Sequence, residues 1–179
     1  SDSNTYVVAA FDVARRGIVC AMHEHSKIFT TAPGAPAEGR TKFAYLSEAT
    51  GLVSPCLAPL AGVLKDFRVA PDGSAVWISI AEASSHRNPR LVIRLYAGGL
   101  DRLLLAYDAS GSLRSDDACG AFASDAKGRV TALLIDAARD RVDVYDPVRG
   151  DHCESRSLLP DWAGARGGST AASCFQCAE

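Results

Sequence analysis

The stretch from Leu91 to Asp151 constrains the fold more than any other. It reads Leu91-Val-Ile-Arg-Leu-Tyr96, a Gly98-Gly99 turn, Arg102-Leu-Leu-Leu-Ala-Tyr107, then Asp108-Ala-Ser-Gly111. After a polar link come Arg129-Val-Thr-Ala-Leu-Leu-Ile135, a turn from Asp136 to Asp140, Arg141-Val-Asp-Val-Tyr145, and a turn from Asp146 to Asp151. Short runs of β-branched, aromatic and leucine residues separated by Gly, Asp and Pro are the pattern of consecutive antiparallel strands. An aromatic residue, then Asp, then a Gly a few positions on recurs at Phe11-Asp12, Tyr107-Asp108 and Tyr145-Asp146. There the ring covers the edge of the core, the carboxylate accepts backbone N–H groups, and Gly supplies the positive φ of the turn. The copies are irregularly spaced. Propeller blades repeat near 40–50 residues, so the pattern predicts a β-barrel or β-sandwich instead.

The rest of the chain extends this all-β expectation. Thr5 to Phe11 and Ile18 to His23 read as a hairpin, and so do Phe67 to Ala70 and Ala75 to Ile80. A last strand should include Cys153. Ser26 to Thr41, with Pro33, Gly34, Pro36 and Gly39, reads as a long loop, and Lys42 to Ala49 suits a strand or a helix. One helix is expected: Ser54-Pro55 resembles a cap with Pro at the first helical position, and Leu57, Leu60, Val63 and Leu64 recur at helical spacing. Pro59 and Gly62 oppose it.

At 179 residues the chain fits one domain, 1–179. Its 19 basic and 21 acidic side chains leave a net charge of -2. A general nucleic-acid binder needs a basic excess, so the balance argues against that class. No apolar run reaches the length of a membrane span. The start at Ser1 fits a mature secreted protein. Six cysteines, Cys20, Cys56, Cys119, Cys153, Cys174 and Cys177, suggest three disulfides and an oxidising compartment. The segment 161–179 has no apolar periodicity and would need Cys174 or Cys177 to staple it down. Each bridge would stabilise by roughly 2–4 kcal/mol.

Candidate chemistry is sparse. His23 and His25 are two apart, so on a strand they share a face and could chelate one ion. Gly17 followed by His23-Glu24-His25 resembles the start of the cupin metal motif, but Phe29 and Thr30 stand where its glutamate should be. Two ligands make no site, and neither metal nor cofactor is expected. Cys174-X-X-Cys177 reads as disulfide cysteines rather than a zinc or redox pair. Asp108, Ser110, Ser112 and Asp116 only loosely follow a calcium loop and lack its closing glutamate. Arg149-Gly150-Asp151 places a cation and a carboxylate on a hairpin tip, the arrangement of an adhesion triplet. Tyr96-Ala-Gly-Gly-Leu-Asp-Arg102 resembles a segment of microbial guanyl-specific ribonucleases, in which Arg102 would face phosphate charge; the matching Glu and His strands are not evident.

The whole chain resembles, as a type, the small secreted cysteine-containing effectors and toxins of plant-pathogenic fungi. The resemblance rests on the six cysteines and the all-β texture. It implies a host-directed protein that acts by binding a host or cell-surface partner, without catalysis; a monomer is expected. Arg149, Gly150, Asp151, His23 and His25 are the expected contact residues. The competing expectations are a small hydrolase or nuclease using His23, His25 and Arg102, and a carbohydrate-binding module using Trp77 or Trp162.

Overall fold

Period-two alternation of apolar and polar residues leaves a strand with one face to bury, and neighbouring strands must supply the cover. A computed structural model describes residues 5–12, 15–25, 39–82, 90–109 and 117–158. These form twelve strands: β1 (Thr5–Asp12), β2 (Gly17–His25), β3 (Gly39–Ser47), β4 (Val53–Ala61), β5 (Val63–Val69), β6 (Ala75–Glu82), β7 (Arg90–Ala97), β8 (Leu103–Ala109), β9 (Ala118–Ser124), β10 (Val130–Asp136), β11 (Arg141–Tyr145) and β12 (His152–Ser157). They pair in chain order into three four-stranded antiparallel sheets, β1–β4, β5–β8 and β9–β12.

The sheets stack in sequence order. The first strands of neighbouring sheets lie beside one another, β1 against β5 and β5 against β9. Two apolar cores fill the gaps. Val19, Ala21 and Phe43 of the first sheet meet Phe67, Val76, Ile78 and Ile80 of the second. Trp77, Leu91, Ile93 and Leu95, on the other face of the second sheet, meet Ala118, Ala132, Leu134 and Tyr145 of the third. The middle sheet is therefore covered on both faces, and Ala75 to Ala81 of β6 are buried without a break. Trp77 is the keystone of the second gap. Its ring lies over Gly120, where any Cβ would strike it, and its indole Nε1 donates to the Ala121 carbonyl at 2.9 Å.

The antiparallel all-β expectation holds, but three finer expectations give way. No barrel closes, because the strands divide into three separate sheets. The expected helix over Ser54 to Lys65 is instead β4 and β5, joined at Gly62 with φ +113°. Pro55 and Pro59 decide this. A proline inside a helix removes a hydrogen bond and clashes, whereas β4 is an edge strand bonded only to β3, where prolines are tolerated. Leu57, Leu60 and Leu64 still bury one side, against the first core. The three-disulfide framework is also not formed. Cys20, Cys56, Cys119 and Cys153 are free thiols on β2, β4, β9 and β12. Three bridges among six cysteines would need at least one bond within these four. Cys174, Cys177, Trp162 and the proposed 161–179 tail lie outside the described residues.

Stacked four-stranded meanders with their first strands innermost are how propeller blades are arranged. The repeat escaped the sequence because the aromatic-Asp pairs sit on unlike strands: Asp12 ends β1, Asp108 lies within β8, and Asp146 follows β11. The equivalent carboxylates are Asp12, Asp72 and Asp125, one in the first hairpin of each sheet, where each accepts a turn N–H. Sheet starts at Thr5, Val63 and Ala118 are evenly spaced, but wider apart than the expected blade period.

Candidate partner-binding surface

An up-and-down sheet of four strands makes its first and last hairpin turns at one end, so three stacked sheets gather six turns into one rim. The registers place Asp12–Gly17, Leu46–Val53, Val69–Val76, Tyr96–Leu103, Ser124–Val130 and Tyr145–His152 there. Hydrogen bonds knit the rim together. Arg15 Nη2 donates to the Gly98 carbonyl, Gly98 N to Ser74 O at 2.8 Å, and Arg102 Nη2 to Val148 O at 2.9 Å.

The rim carries Leu52, Val53, Leu103 and Val148, each about half to two-thirds exposed, out of five large apolar side chains exposed among the described residues. The last turn packs on β8 so closely that a Cβ at Gly150 would lie 2.8 Å from the Leu104 Cβ, and Gly150 has φ +77°. Only glycine fits both demands. This seats Val148 and Arg149 beside Arg102 and Leu103. Asp146 Oδ1 accepts the backbone N–H of Val148 and Arg149 at 2.8 and 3.0 Å, and these bonds hold its carboxyl below the usual carboxylate range. Arg149 Nε lies 3.3 Å from Asp151 Oδ2, with both side chains well exposed. The triplet is a folded turn whose two charges face each other.

The sequence-derived residues therefore separate into two groups. Arg102, Arg149, Gly150 and Asp151 come together on the rim. His23 and His25 end β2, whose other end, Gly17, is the one on the rim. A nine-residue strand spans nearly 30 Å, so the histidine pair and Arg102 do not converge; the histidine side chains lie outside the described residues. Trp77 is 1 % exposed and unavailable for stacking on a sugar. Of the loose calcium-loop residues only Asp108 is described, and it pairs with Arg90 at 3.2 Å.

Two polar clusters have no local signature in the sequence: one joins the second and third sheets at the end opposite the rim, and the other lies between β11 and β12. Tyr107 of β8 donates to Asp136 Oδ2 at 2.5 Å, and Arg139 Nη1 donates to the same oxygen at 2.7 Å. Burial alone would raise the Asp136 pKa, but the bonds from Tyr107 and Arg139 outweigh it and hold the carboxyl below its usual range. Burial and the bond to Asp136 push the Tyr107 phenol up. Nearby, Ser155 Oγ and Arg141 Nε both donate to Asp143 Oδ1 at 2.6 Å, and His152 Nε2 lies 3.0 Å from Ser155 Oγ. Serine, histidine and aspartate thus meet, but not as a relay. The serine proton goes directly to the carboxylate, and the same imidazole nitrogen faces both partners, 3.6 Å from Asp143. Asp143 is also held below its usual range, because bonds from Ser155 and Arg141 outweigh its burial. A carboxylate so engaged braces β11 to β12 and makes a weak base. One trace of this was legible: Arg141-Val-Asp-Val-Tyr145 alternates, and period two puts Asp143 on the same face as Tyr145.

Among the described residues no group of three or more His, Cys, Asp or Glu could hold a metal ion, and no helix is long and apolar enough to cross a membrane. Burial raises the thiol pKa of Cys56 and of Cys119. No family model matches the chain, and comparison with curated proteins finds no match.

Proposed function

We propose that this chain is a non-enzymatic recognition protein of the effector or toxin type, acting outside the cell that makes it on a host or cell-surface protein. The rim around Leu103 and Val148–Asp151 is the contact surface. The observation that carries this reading is the gathering of exposed apolar side chains at that one end, beside Arg102, Arg149 and Asp151. Apolar side chains bordered by arginine and acid are the make-up of a protein interface, and turns held by a rigid sheet scaffold are where binding residues concentrate. His23 and His25 play no part at this end. The extracellular setting rests on the sequence alone, on its six cysteines; the four described thiols are unpaired and add nothing to it.

The test is binding of the fluorescently labelled full chain to intact cells. Leu103→Asp with Val148→Asp should abolish binding while the circular dichroism spectrum is kept. Unchanged binding by that variant would overturn the reading, as would loss of binding on His23→Ala with His25→Ala.

A further inference from the structure

The two internal gaps are both made of sheet faces pressed together, and the stack exposes one more face at each end. On the third sheet the face turned away from the core carries Cys119, Ala121, Leu133, Ile135, Val142 and Val144, set by the registers Leu133↔Ala121, Ile135↔Cys119, Leu133↔Val144 and Ile135↔Val142. All six are only partly buried; on the fourth strand the same face ends in the Glu154–Arg156 ion pair, opposite Val144 and Val142. The first sheet turns away Ile18, Cys20, Met22 and Leu46, also partly buried, with Lys42 beside Met22 on the same face. Apolar patches of this continuity mark association surfaces.

We infer that a second copy of this chain covers both faces. The third sheet of each copy stacks on the first sheet of the other, repeating the contact already made twice within the chain. The stacking is directional: first-to-second and second-to-third gaps use the sheets in the same order and polarity, with the hairpin rim at the same end. The face of the third sheet therefore continues an existing interface, and its complement is the outer face of a first sheet. Two copies contribute six sheets, within the four to eight that close a radial ring. A head-to-tail contact that closes after two copies satisfies every face at once. At the outer edges of the first and third sheets, strand pairing is opposed by Pro55 and Pro59 of β4 and by the charged Glu154 and Arg156 of β12. The closed pair would set both hairpin rims on one side of the ring.

Sedimentation equilibrium of the full chain at about 10–100 µM, where a specific dimer of modest affinity is populated, should give twice the 18.8 kDa of one chain. Leu133→Glu, which blocks the third-sheet face, and Met22→Glu, which blocks the first-sheet face, should each make it monomeric. Mixing the two variants should restore a dimer, since each keeps the face that the other lacks. Folding is checked by Trp77 fluorescence, because that indole lies in an internal gap. A wild-type chain that stays monomeric over this range overturns the proposal without any variant. A dimer that survives Met22→Glu but not Leu133→Glu overturns the head-to-tail pairing in favour of two third sheets face to face.

Discussion

The second and third sheets share a strand order and a hairpin plan, yet β6 and β10 are buried differently. From Ala75 to Ala81 every residue of β6 is buried, whereas β10 alternates buried Ala132, Leu134 and Asp136 with half-buried Thr131, Leu133 and Ile135. Their sequences follow: Ala75-Val-Trp-Ile-Ser-Ile-Ala81 is an almost unbroken apolar run, as expected for a strand covered on both sides. In Val130-Thr-Ala-Leu-Leu-Ile-Asp136 the inward face admits a carboxylate at its end. The difference teaches that position in the stack sets burial, and that the third sheet has apolar surface left over.

The largest effect should come from the interface both sheets share. Trp77→Ala should cost about 3–5 kcal/mol in urea unfolding, since the ring fills the space above Gly120 and its N–H satisfies the Ala121 carbonyl. Ile93→Ala on the covered sheet should cost about 2–5 kcal/mol. Ile135→Ala on the open face should cost clearly less at dilutions where the chain is monomeric, and more at high concentration where a partner copy is bound. Equal costs for the two at high dilution would erase the contrast.

Smaller effects probe the polar ends of the third sheet. Tyr107→Phe should cost about 1–3 kcal/mol, because it takes one donor from the buried Asp136 carboxylate. The pH dependence has a definite sign. Asp136 and Asp143 have folded pKa values held below their unfolded ones. Their stabilisation is present above the unfolded carboxylate pKa near 4 and is lost as pH falls through the folded values. Asp143→Asn should therefore flatten the fall in stability below about pH 4 in acid unfolding followed by circular dichroism; an unchanged slope would show that Asp143 carries no such linkage. The smallest effect should be Arg129→Ala, which removes an exposed, solvent-screened pair to Asp125 and should leave the urea unfolding midpoint nearly unchanged.

Most strands were legible because their period-two runs end at Gly, Pro and Asp turns. The Arg149-Gly150-Asp151 turn was legible for the same reason, but the ion pair that folds its two charges together was not. The helix error over Ser54 to Lys65 came from leucine spacing that suits a helix and an irregular edge strand equally, and β3–β4 pairing does contain register shifts. The Tyr107, Asp136 and Arg139 cluster joins β8 to the end of β10, residues 29 and 32 apart, a distance no local pattern encodes. Arg102 met Val148 across 46 residues in the same way.

Residue by residue, the sequence determined a chain of short antiparallel strands, turns held by aspartate and glycine, and a nearly balanced charge. Turn chemistry and side-chain alternation act over a few residues, so they are written locally. The division into three sheets, the burial of the middle one on both faces, the four unpaired cysteines among the described residues and the gathering of six turns into one rim were decided by tertiary structure. Those depend on which apolar face meets which, and faces far apart in the chain carry no mark of their partners.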